Sequence, residues 1–328
     1  MPELPEVHTT VTDLQKIISG KKILTVWSSY NSPYHKGKPN IKDLKYFAEF
    51  KKKIEGGKIL RVRRRAKNIL IDLQNGNTIL VHMKMTGHLL YGKYREISNS
   101  SVPSRHLPQG DNSSNKIPLG WEKEKWIPSE KPDSLLWDPF NRFIRVVFAL
   151  SNGKSLVLSD VRKFAKVTLF KTDEQDEIPD LKNIGPEPME KNFTFKVFNA
   201  QLNKRPNLTI KQVLMMPEIV AGIGNIYSDE LLWECGVHPL SRVKHLPERV
   251  RILMHKNIPK VLKEGMKRLG DSLSDYRRPN GERGDYQNHH KAYRNTGKKC
   301  TKKDGGTIGK LKVVGRSAHF CSKHQILF

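Results

Sequence analysis

The hydrophobic period of this chain changes once along its length, and that change separates two kinds of structure. Short apolar runs rich in β-branched residues occupy residues 23–26, 58–64, 68–73, 78–83, 143–150, 155–158 and 166–170. Asn75-Gly76 and Asn152-Gly153 join two pairs of these runs and indicate β-hairpins. From residue 193 to 270, apolar side chains recur at helical spacing instead. The pattern predicts an α+β protein with an N-terminal antiparallel β-sandwich and a helical domain behind it.

A length of 328 residues is typical of about two domains. We predict boundaries at residues 1–175, 180–275 and 276–328, the last segment being a small β-hairpin module. Residues 96–133 interrupt the sandwich and are rich in Ser, Pro, Asn and charge. They predict a surface insertion or a partly disordered loop. The first helix is expected between Pro5 and Gly20, with flanking helices completing the sandwich domain.

The charge balance indicates a polyanionic partner. The chain carries 59 Lys and Arg against 33 Asp and Glu, a formal net charge of +26. Nucleic acid is the first candidate for that partner and an anionic membrane surface is the second. The absence of an 18-residue apolar stretch argues against a membrane span, and the acidic N-terminus does not resemble a secretory signal. Three cysteines cannot build a disulfide framework, so we expect an intracellular protein in a reducing compartment.

The N-terminus could carry chemistry. Removal of Met1 would free Pro2 as a secondary amine, and an α-amino group has a pKa near about 8. Attack on a sugar C1′ would give a permanently charged iminium, which is an electron sink. Glu3 could protonate the sugar ring oxygen, and Glu6, three residues on, could orient or relay. The alternative is an ordinary helix start, with Pro in the first turn and acids favoured by the helix dipole.

A basic run extends from Lys51 to Lys67. Arg61, Arg63 and Arg65 alternate along a predicted strand and would therefore share one face. Such a stripe suits phosphate groups. The alternative is a solvated face of a lysine-rich protein.

Residues 220–230 place Gly222 and Gly224 just before a predicted helix start at Asn225. Free N–H groups at a helix start bind phosphate, and glycine allows close approach. The preceding segment looks helical rather than extended, which argues against a dinucleotide-binding loop. The pattern favours a clamp for a DNA backbone, with a purely structural turn as the alternative.

The C-terminal segment contains a possible metal site. Cys321 and His324 have a C-x-x-H spacing, and Cys300 lies 21 residues before Cys321. A structural zinc ion needs four ligands, and Asp304 is the only plausible local fourth. The alternative is a β-hairpin held together without metal.

Taken together, these features resemble the formamidopyrimidine-DNA glycosylase (Fpg) family and its relative endonuclease VIII. The resemblance covers nearly the whole chain outside residues 96–133. It is carried by PELPEV at 2–7, RRRAKNIL at 63–70, HMKMTGHL at 82–89, SDVRKFAK at 159–166, IGPEP at 184–188, VAGIGNIYSDELLWECGVHP at 220–239, DYRRPNGERGDYQN at 275–288 and GRSAHFCSKHQ at 315–325. The helical part is similar to the family's helix–two-turn–helix domain, and residues 275–288 to its loop over the damaged base.

The resemblance implies a role for each matching position. Pro2, Glu3, Lys67 and Arg316 are implied as catalytic, with Glu6 and Glu230 in support. Met85, Arg162 and Phe164 would fill the space left by an extruded base. His82, Lys163, Arg205, Lys211 and Asn225 are implied as DNA contacts. Cys300, Asp304, Cys321 and His324 would hold one structural zinc ion, although Lys303 stands where the family has its second Cys.

The implied function is base-excision DNA repair. The enzyme would remove oxidised purines, 8-oxoguanine and formamidopyrimidines, and would nick the strand by β,δ-elimination as an AP lyase. It would act as a monomer on damaged double-stranded DNA, without a membrane, in the bacterial cytoplasm or another DNA-containing compartment. A non-catalytic DNA-binding protein and an RNA- or ribosome-associated basic protein are the rival classes.

Overall fold

The computed structural model describes residues 1–97, 117–118 and 120–328. The first part of the chain contains two long helices and a series of strands. These are α1 (Leu4–Ile18), β1 (Ile23–Ser28), α2 (Leu44–Ile54), β2 (Ile59–Arg65), β3 (Asn68–Leu73), β4 (Asn77–His82), β5 (His88–Gly92), β6 (Tyr94–Glu96), β7 (Trp126–Pro128), β8 (Ile144–Leu150), β9 (Ser155–Ser159) and β10 (Lys166–Lys171).

The second part is helical and ends in a hairpin. Its elements are α3 (Pro179–Lys182), α4 (Phe195–Asn203), α5 (Ile210–Leu214), α6 (Asn225–Cys235), α7 (Glu248–Lys267), β11 (Ile308–Val313) and β12 (Arg316–Cys321). The α+β class, with a sandwich, a helical domain and a C-terminal β-hairpin, is confirmed.

Two antiparallel sheets form the predicted sandwich. One has the strand order β1-β8-β9-β5 and the other β10-β4-β3-β2. Their facing side chains form one apolar core that includes Ile71, Val81, Val146 and Leu158. The predicted hairpin turns at Asn75-Gly76 and Asn152-Gly153 are present, and both glycines have the left-handed φ that such turns require.

Four elements of the sandwich domain, α2, β5, β6 and β7, were not individually predicted from the sequence. Residues 44–54 form α2, whose first turn is capped by the Asp43 carboxylate accepting from the Tyr46 backbone N–H at 2.7 Å. Lys51, Lys52 and Lys53 lie on this helix, so the basic run of the sequence is divided between a helix and a strand. The edge strand β5 was also missed, because glycine and histidine around it dilute the apolar pattern.

The start of α1 belongs to both domains. Leu4 is fully buried within the core of the helical domain, beside Ile223 and Tyr227. Its backbone N–H donates to the Gly222 carbonyl at 3.0 Å. The rest of α1 packs on the sandwich through Val7, whose side chain is equally buried. This helix therefore places the N-terminus at the junction between the two domains.

The described part of the predicted 96–133 surface insertion is packed against the sandwich. Trp126–Pro128 pairs as a strand with Tyr94–Glu96, and Trp121 is 1% exposed. Apolar residues scattered among polar ones gave no periodic signal, but the outer face of the sandwich collects them into one cluster. Residues 98–116 and 119 of the predicted insertion lie outside the described residues.

Among the residues that the structure describes, no helix is long and apolar enough to cross a membrane.

Candidate active site and DNA interface

The glycine turn before α6 holds an acidic side chain. The Glu3 carboxylate accepts hydrogen bonds from the backbone N–H groups of Gly224, Ile226 and Tyr227, at 2.7, 2.9 and 3.3 Å. A Cβ on Gly224 would lie 2.4 Å from the Glu3 Cδ, so only glycine fits. The sequence-based prediction of a phosphate clamp at these N–H groups is therefore wrong for these three donors, because a carboxylate of the same chain already occupies them.

Glu6 links the N-terminus to the loop after α7. Its Oε2 accepts from the Glu3 N–H at 2.7 Å, and its Oε1 accepts from the Tyr227 hydroxyl at 2.7 Å and from the Asp271 N–H at 2.8 Å. Burial raises the pKa of Glu6 to about 7, and the nearby Glu3 and Asp271 carboxylates add to the shift. Glu6 is thus a buried carboxyl group whose pKa lies near neutrality.

A broad cleft of about 930 Å³ opens between the two domains beside this N-terminus. Met1, Lys67, His82, Arg205 and Arg316 all line it. Four of these were predicted from the sequence, Lys67, His82, Arg205 and Arg316, and they come together although they lie in different segments of the chain.

Lys67 reaches the glycine turn from the other domain. Its Nζ donates to the Ile223 carbonyl at 2.8 Å. Burial lowers its pKa, although the nearby Glu3 carboxylate acts in the opposite direction. A lowered pKa makes the ammonium a better proton donor near neutrality. Ala66, just before it, has a left-handed φ of 52° that turns the chain between β2 and β3.

His82 is present in the cleft, but it does not act there as a cation. Burial and the neighbouring Lys84 and Lys67 charges lower its pKa to about 3. It is therefore neutral at physiological pH, and any contact that it makes with a phosphate is a neutral hydrogen bond.

Met85, Arg162 and Phe164, the residues predicted to fill the space of an extruded base, lie together on two adjacent loops. The exposed fractions of Met85 and Phe164 are 40% and 49%, unusual for large apolar side chains. The Arg162 guanidinium stacks over the Phe164 ring at 4.5 Å. Sequence reasoning missed Asp160, which ties the two loops together: its carboxylate accepts from the Thr86 hydroxyl and from the Ala165 N–H.

Lys211 is not a surface residue, so its predicted contact with DNA is wrong. Its Nζ is fully buried and pairs with the Asp229 carboxylate at 2.7 Å, while also donating to the Asn225 carbonyl and the Ser228 hydroxyl. Asp229 in turn accepts from the His319 backbone N–H at 3.0 Å and contacts its imidazole at 2.9 Å. The network joins the start of α6 to the hairpin that carries Arg316.

The other predicted contacts are distributed as follows. Arg205 and Lys163 are exposed, and Asn225 is the first residue of α6. Glu230 is buried and accepts three backbone N–H bonds, from Lys291, Ala292 and Tyr293, so it shapes a loop rather than touching the cleft.

The arginine stripe on β2 is partly paired with carboxylates. Arg61 and Arg63 pair with Asp72 on the neighbouring strand β3. Arg64 and Arg65 pair with Glu187 of the helical domain. Two carboxylates therefore engage four guanidinium groups, so the predicted phosphate-binding stripe keeps an excess of positive charge, and Arg61 stays largely exposed.

The predicted metal ligands do converge. Ligand atoms of Cys300, Asp304, Cys321 and His324 all lie within 4.8 Å of one another. The His324 Nε2 faces the Trp233 carbonyl at 2.9 Å, which favours a proton on Nε2 and leaves the Nδ1 lone pair for the cluster. The residues are therefore compatible with one tetrahedral metal ion.

A second, smaller cavity of about 40 Å³ lies behind the N-terminus. Pro2, Glu6, Asp271, Ser274 and Tyr276 are among its walls. Tyr276 belongs to the 275–288 segment that resembles the loop over the damaged base, whereas Asp271 carried no sequence signal of its own, since it follows α7 in a loop without periodic pattern.

Comparison with known proteins gives matches along almost the whole chain. The sequence model of the formamidopyrimidine-DNA glycosylase N-terminal domain matches residues 1–167, and that of the formamidopyrimidine-DNA glycosylase H2TH domain matches residues 184–277. The formamidopyrimidine-DNA glycosylase of Pelotomaculum thermopropionicum is 32% identical over 325 residues, covering 99% of both chains. That of Lactococcus lactis is 32% identical over 322 residues, covering 98% of each.

Solved structures show the same fold. A complex of Lactococcus lactis Fpg with DNA containing an abasic site is similar with a TM-score of 0.76 and 29% identity, covering 98% of this chain and 99% of that one. A complex of the wild-type Lactococcus lactis protein with DNA containing N7-benzyl-Fapy-dG has the same TM-score and identity, and the alignment covers 99% of each chain.

Proposed function

The chain belongs to the formamidopyrimidine-DNA glycosylase family, and from this premise we propose that Pro2 is the nucleophile with which it excises oxidised purines. The protein is a base-excision repair glycosylase whose partner is damaged double-stranded DNA. One observation carries the proposal for Pro2: it is buried next to Glu3, whose carboxylate is held by N–H groups at the start of α6, beside a cleft lined by Lys67 and Arg316.

The chemistry needs a free nitrogen on Pro2. With Met1 attached this nitrogen is an amide, whereas after removal of Met1 it is a secondary amine. Its lone pair forms a bond to C1′ as the bond from C1′ to the base breaks and the base leaves with the electron pair. The proton that the Pro2 nitrogen loses passes through the Glu3 carboxylate to the ring oxygen, which opens the sugar and leaves an iminium between Pro2 and C1′, while the departing base takes a proton from water.

The iminium then acidifies the proton on C2′. Loss of that proton expels the 3′ phosphate by β-elimination, and a second, δ-elimination expels the 5′ phosphate. Lys67, whose pKa burial lowers, is placed in the cleft to donate protons to departing groups. Water finally releases Pro2 from the sugar fragment.

An intact duplex hides the damaged base, so the base must leave the stack. Met85, Arg162 and Phe164 project together and would fill the vacated space. Arg316, Asn225, Arg205 and Lys163 would hold the flanking phosphates. We place this activity in whichever compartment holds the cell's DNA.

Borohydride trapping tests the nucleophile. Reduction of the iminium should join protein processed to Pro2 covalently to DNA containing an abasic site. We expect Pro2→Gly to reduce the adduct strongly, whereas Glu3→Gln, which keeps the amine, should still be trapped. An undiminished adduct with Pro2→Gly, or full incision by protein that mass spectrometry shows to retain Met1, would contradict the assignment. Faster release of thymine glycol than of 8-oxoguanine would contradict the substrate class.

We further propose that Cys300, Asp304, Cys321 and His324 hold one zinc ion, which would join the loop before β11 to the end of β12. Two thiolates, one carboxylate and one imidazole are all zinc ligands. Elemental analysis should find about one zinc per chain in the native protein and none in Cys321→Ser, with a lower melting temperature. The buried Cys235 lies outside the cluster, so Cys235→Ser is the control and should keep the metal. Metal-free native protein with an unchanged melting temperature would show the hairpin to be self-supporting.

A further inference from the structure

A tryptophan-rich segment covers the outer face of the β1-β8-β9-β5 sheet. We call residues 120–143 the cap segment. The Trp121 and Trp137 rings meet edge to face at 5.2 Å, and Trp126 lies 5.9 Å from Trp27 of β1. Together with Leu90 of β5 they bury a separate apolar cluster on the sandwich. The cap segment is therefore firmly attached to the domain that carries Lys67.

One buried arginine joins the cap segment to the loop after α7. The Arg277 side chain is 2% exposed, and its Nε donates to the Asp138 carboxylate at 2.9 Å. Its guanidinium also stacks on the Phe140 ring at 4.8 Å. On the loop side, the same guanidinium donates to the carbonyls of Ser274 and Tyr276 at 3.0 and 2.9 Å. A charge so deeply buried needs all of these partners.

Further backbone contacts hold the same loop against the sandwich and the cap segment. The Tyr91 N–H donates to the Pro279 carbonyl at 2.7 Å. Gly281 has a left-handed φ of 88°, and a Cβ there would lie 2.6 Å from the Leu135 backbone. The loop and the cap segment therefore pack without a gap at this point.

The loop is also a wall of the cavity behind Pro2. Ser274 and Tyr276, whose carbonyls Arg277 holds, line that cavity with Pro2 and Glu6. The Tyr276 hydroxyl donates to the Glu6 carbonyl at 3.1 Å. A volume of about 40 Å³ holds a few water molecules, since one needs roughly 10–15 Å³, but not a nucleobase. The wall formed by Ser274 and Tyr276 must therefore move before an extruded base can enter. The hydrogen bonds from Arg277 to the carbonyls of these two residues fix where the wall rests.

We propose that the cap segment positions the wall of the base cavity through Arg277, an inference that rests on the proposed glycosylase function. Arg277, Asp138 and Phe140 are then positioning residues for excision of a damaged base. They are not needed at an abasic site, which has no base to accommodate. The cap segment would thus affect which bases are released and how fast, but not the elimination steps.

Two assays on the same full-length protein test this. We would measure single-turnover excision from a duplex containing 8-oxoguanine, and incision of a duplex with a preformed abasic site, for Asp138→Asn and Arg277→Lys. Displacing a reacting group by an ångström can lower a reaction rate roughly a hundredfold, so we expect the rate of excision to fall at least about tenfold. Abasic incision should stay within about threefold, because those steps need only Pro2 and the cleft.

The controls separate positioning from damage to the fold. Lys125→Ala removes an exposed ion pair with Glu96 near the same segment and should change neither rate. The effects of Asp138→Asn and Arg277→Lys on the excision rate should not add in the double variant, since both substitutions remove the same interaction. Equal losses in both assays, or no loss in either, would overturn the proposal. Failure of the wild-type protein to cut the abasic duplex would instead overturn the proposed function.

Discussion

The Glu3 carboxylate accepts a hydrogen bond from the Gly224 backbone N–H at 2.7 Å, across 221 residues of sequence. The bond joins the first turn of α1 to the first turn of α6. Since Pro2 is the neighbour of Glu3, the position of the proposed nucleophile depends on a glycine in the other domain. The contact leaves no room for a side chain on Gly224.

Gly224→Ala should disable the site. The new Cβ would lie 2.4 Å from the Glu3 Cδ, so Glu3 must leave the α6 N–H groups and Pro2 must move with it. We expect a loss of at least about a hundredfold in abasic-site incision. Gly153→Asn changes a glycine with open space to a residue that tolerates its left-handed φ, and serves as the control. Equal activity of the two variants would show that Glu3 does not position Pro2.

The stability of the protein should depend on the protonation of Glu6. Its pKa rises from 4.5 to about 7 on folding, so the folded state binds more protons between these values. The contribution of Glu6 to the free energy of unfolding is full below about pH 4.5 and is lost as the pH rises through 7. Glu6→Gln cannot ionise, so its unfolding free energy relative to wild type should improve by roughly 3 kcal/mol over that range.

Urea unfolding at several pH values measures this difference. Parallel pH profiles for wild type and Glu6→Gln would contradict the prediction. Glu49→Gln, an exposed carboxylate on α2, controls for the loss of one negative charge.

Asp229→Asn should destabilise the helical domain. It leaves the Lys211 ammonium buried without its counter-ion and weakens the contact with the His319 N–H on the hairpin. Breaking one side of a buried ion pair costs about 3–5 kcal/mol. Chemical denaturation gives the value, and Glu96→Gln in an exposed pair should cost less than about 1 kcal/mol. Similar losses in the free energy of unfolding for the two variants would mean that the Lys211 network does not stabilise the helical domain.

Position 66 should accept glycine but not a β-branched residue. Ala66 is buried with φ 52°, and its N–H donates to Glu187 at 2.6 Å just before Lys67. Ala66→Gly should keep activity, whereas Ala66→Val should lower both the melting temperature and abasic-site incision, because a branched Cβ is strained at left-handed φ. Full activity of Ala66→Val would show that Lys67 tolerates a displaced turn.

Local patterns were sufficient for much of the fold. The short apolar runs at residues 68–73 and 78–83, with Asn75-Gly76 between them, predicted a hairpin that is present almost residue for residue. The helical spacing after residue 193 and the glycine before Asn225 did the same for the second domain. These features depend on side-chain spacing and backbone φ, which neighbours in sequence determine.

The partners of each charged group were decided by the tertiary structure alone. Lys211 and the β2 arginines carry the same charge as any surface cation in the sequence, yet each of them pairs with a carboxylate of Asp229, Asp72 or Glu187. The N–H groups after Gly224 are taken by Glu3, and Arg277 is buried against Asp138. The sequence by itself therefore determined the elements and the family motifs. Which groups remain free for DNA depended on contacts in space, some between neighbouring elements and others across more than a hundred residues, because electrostatic pairing and burial follow distance in space.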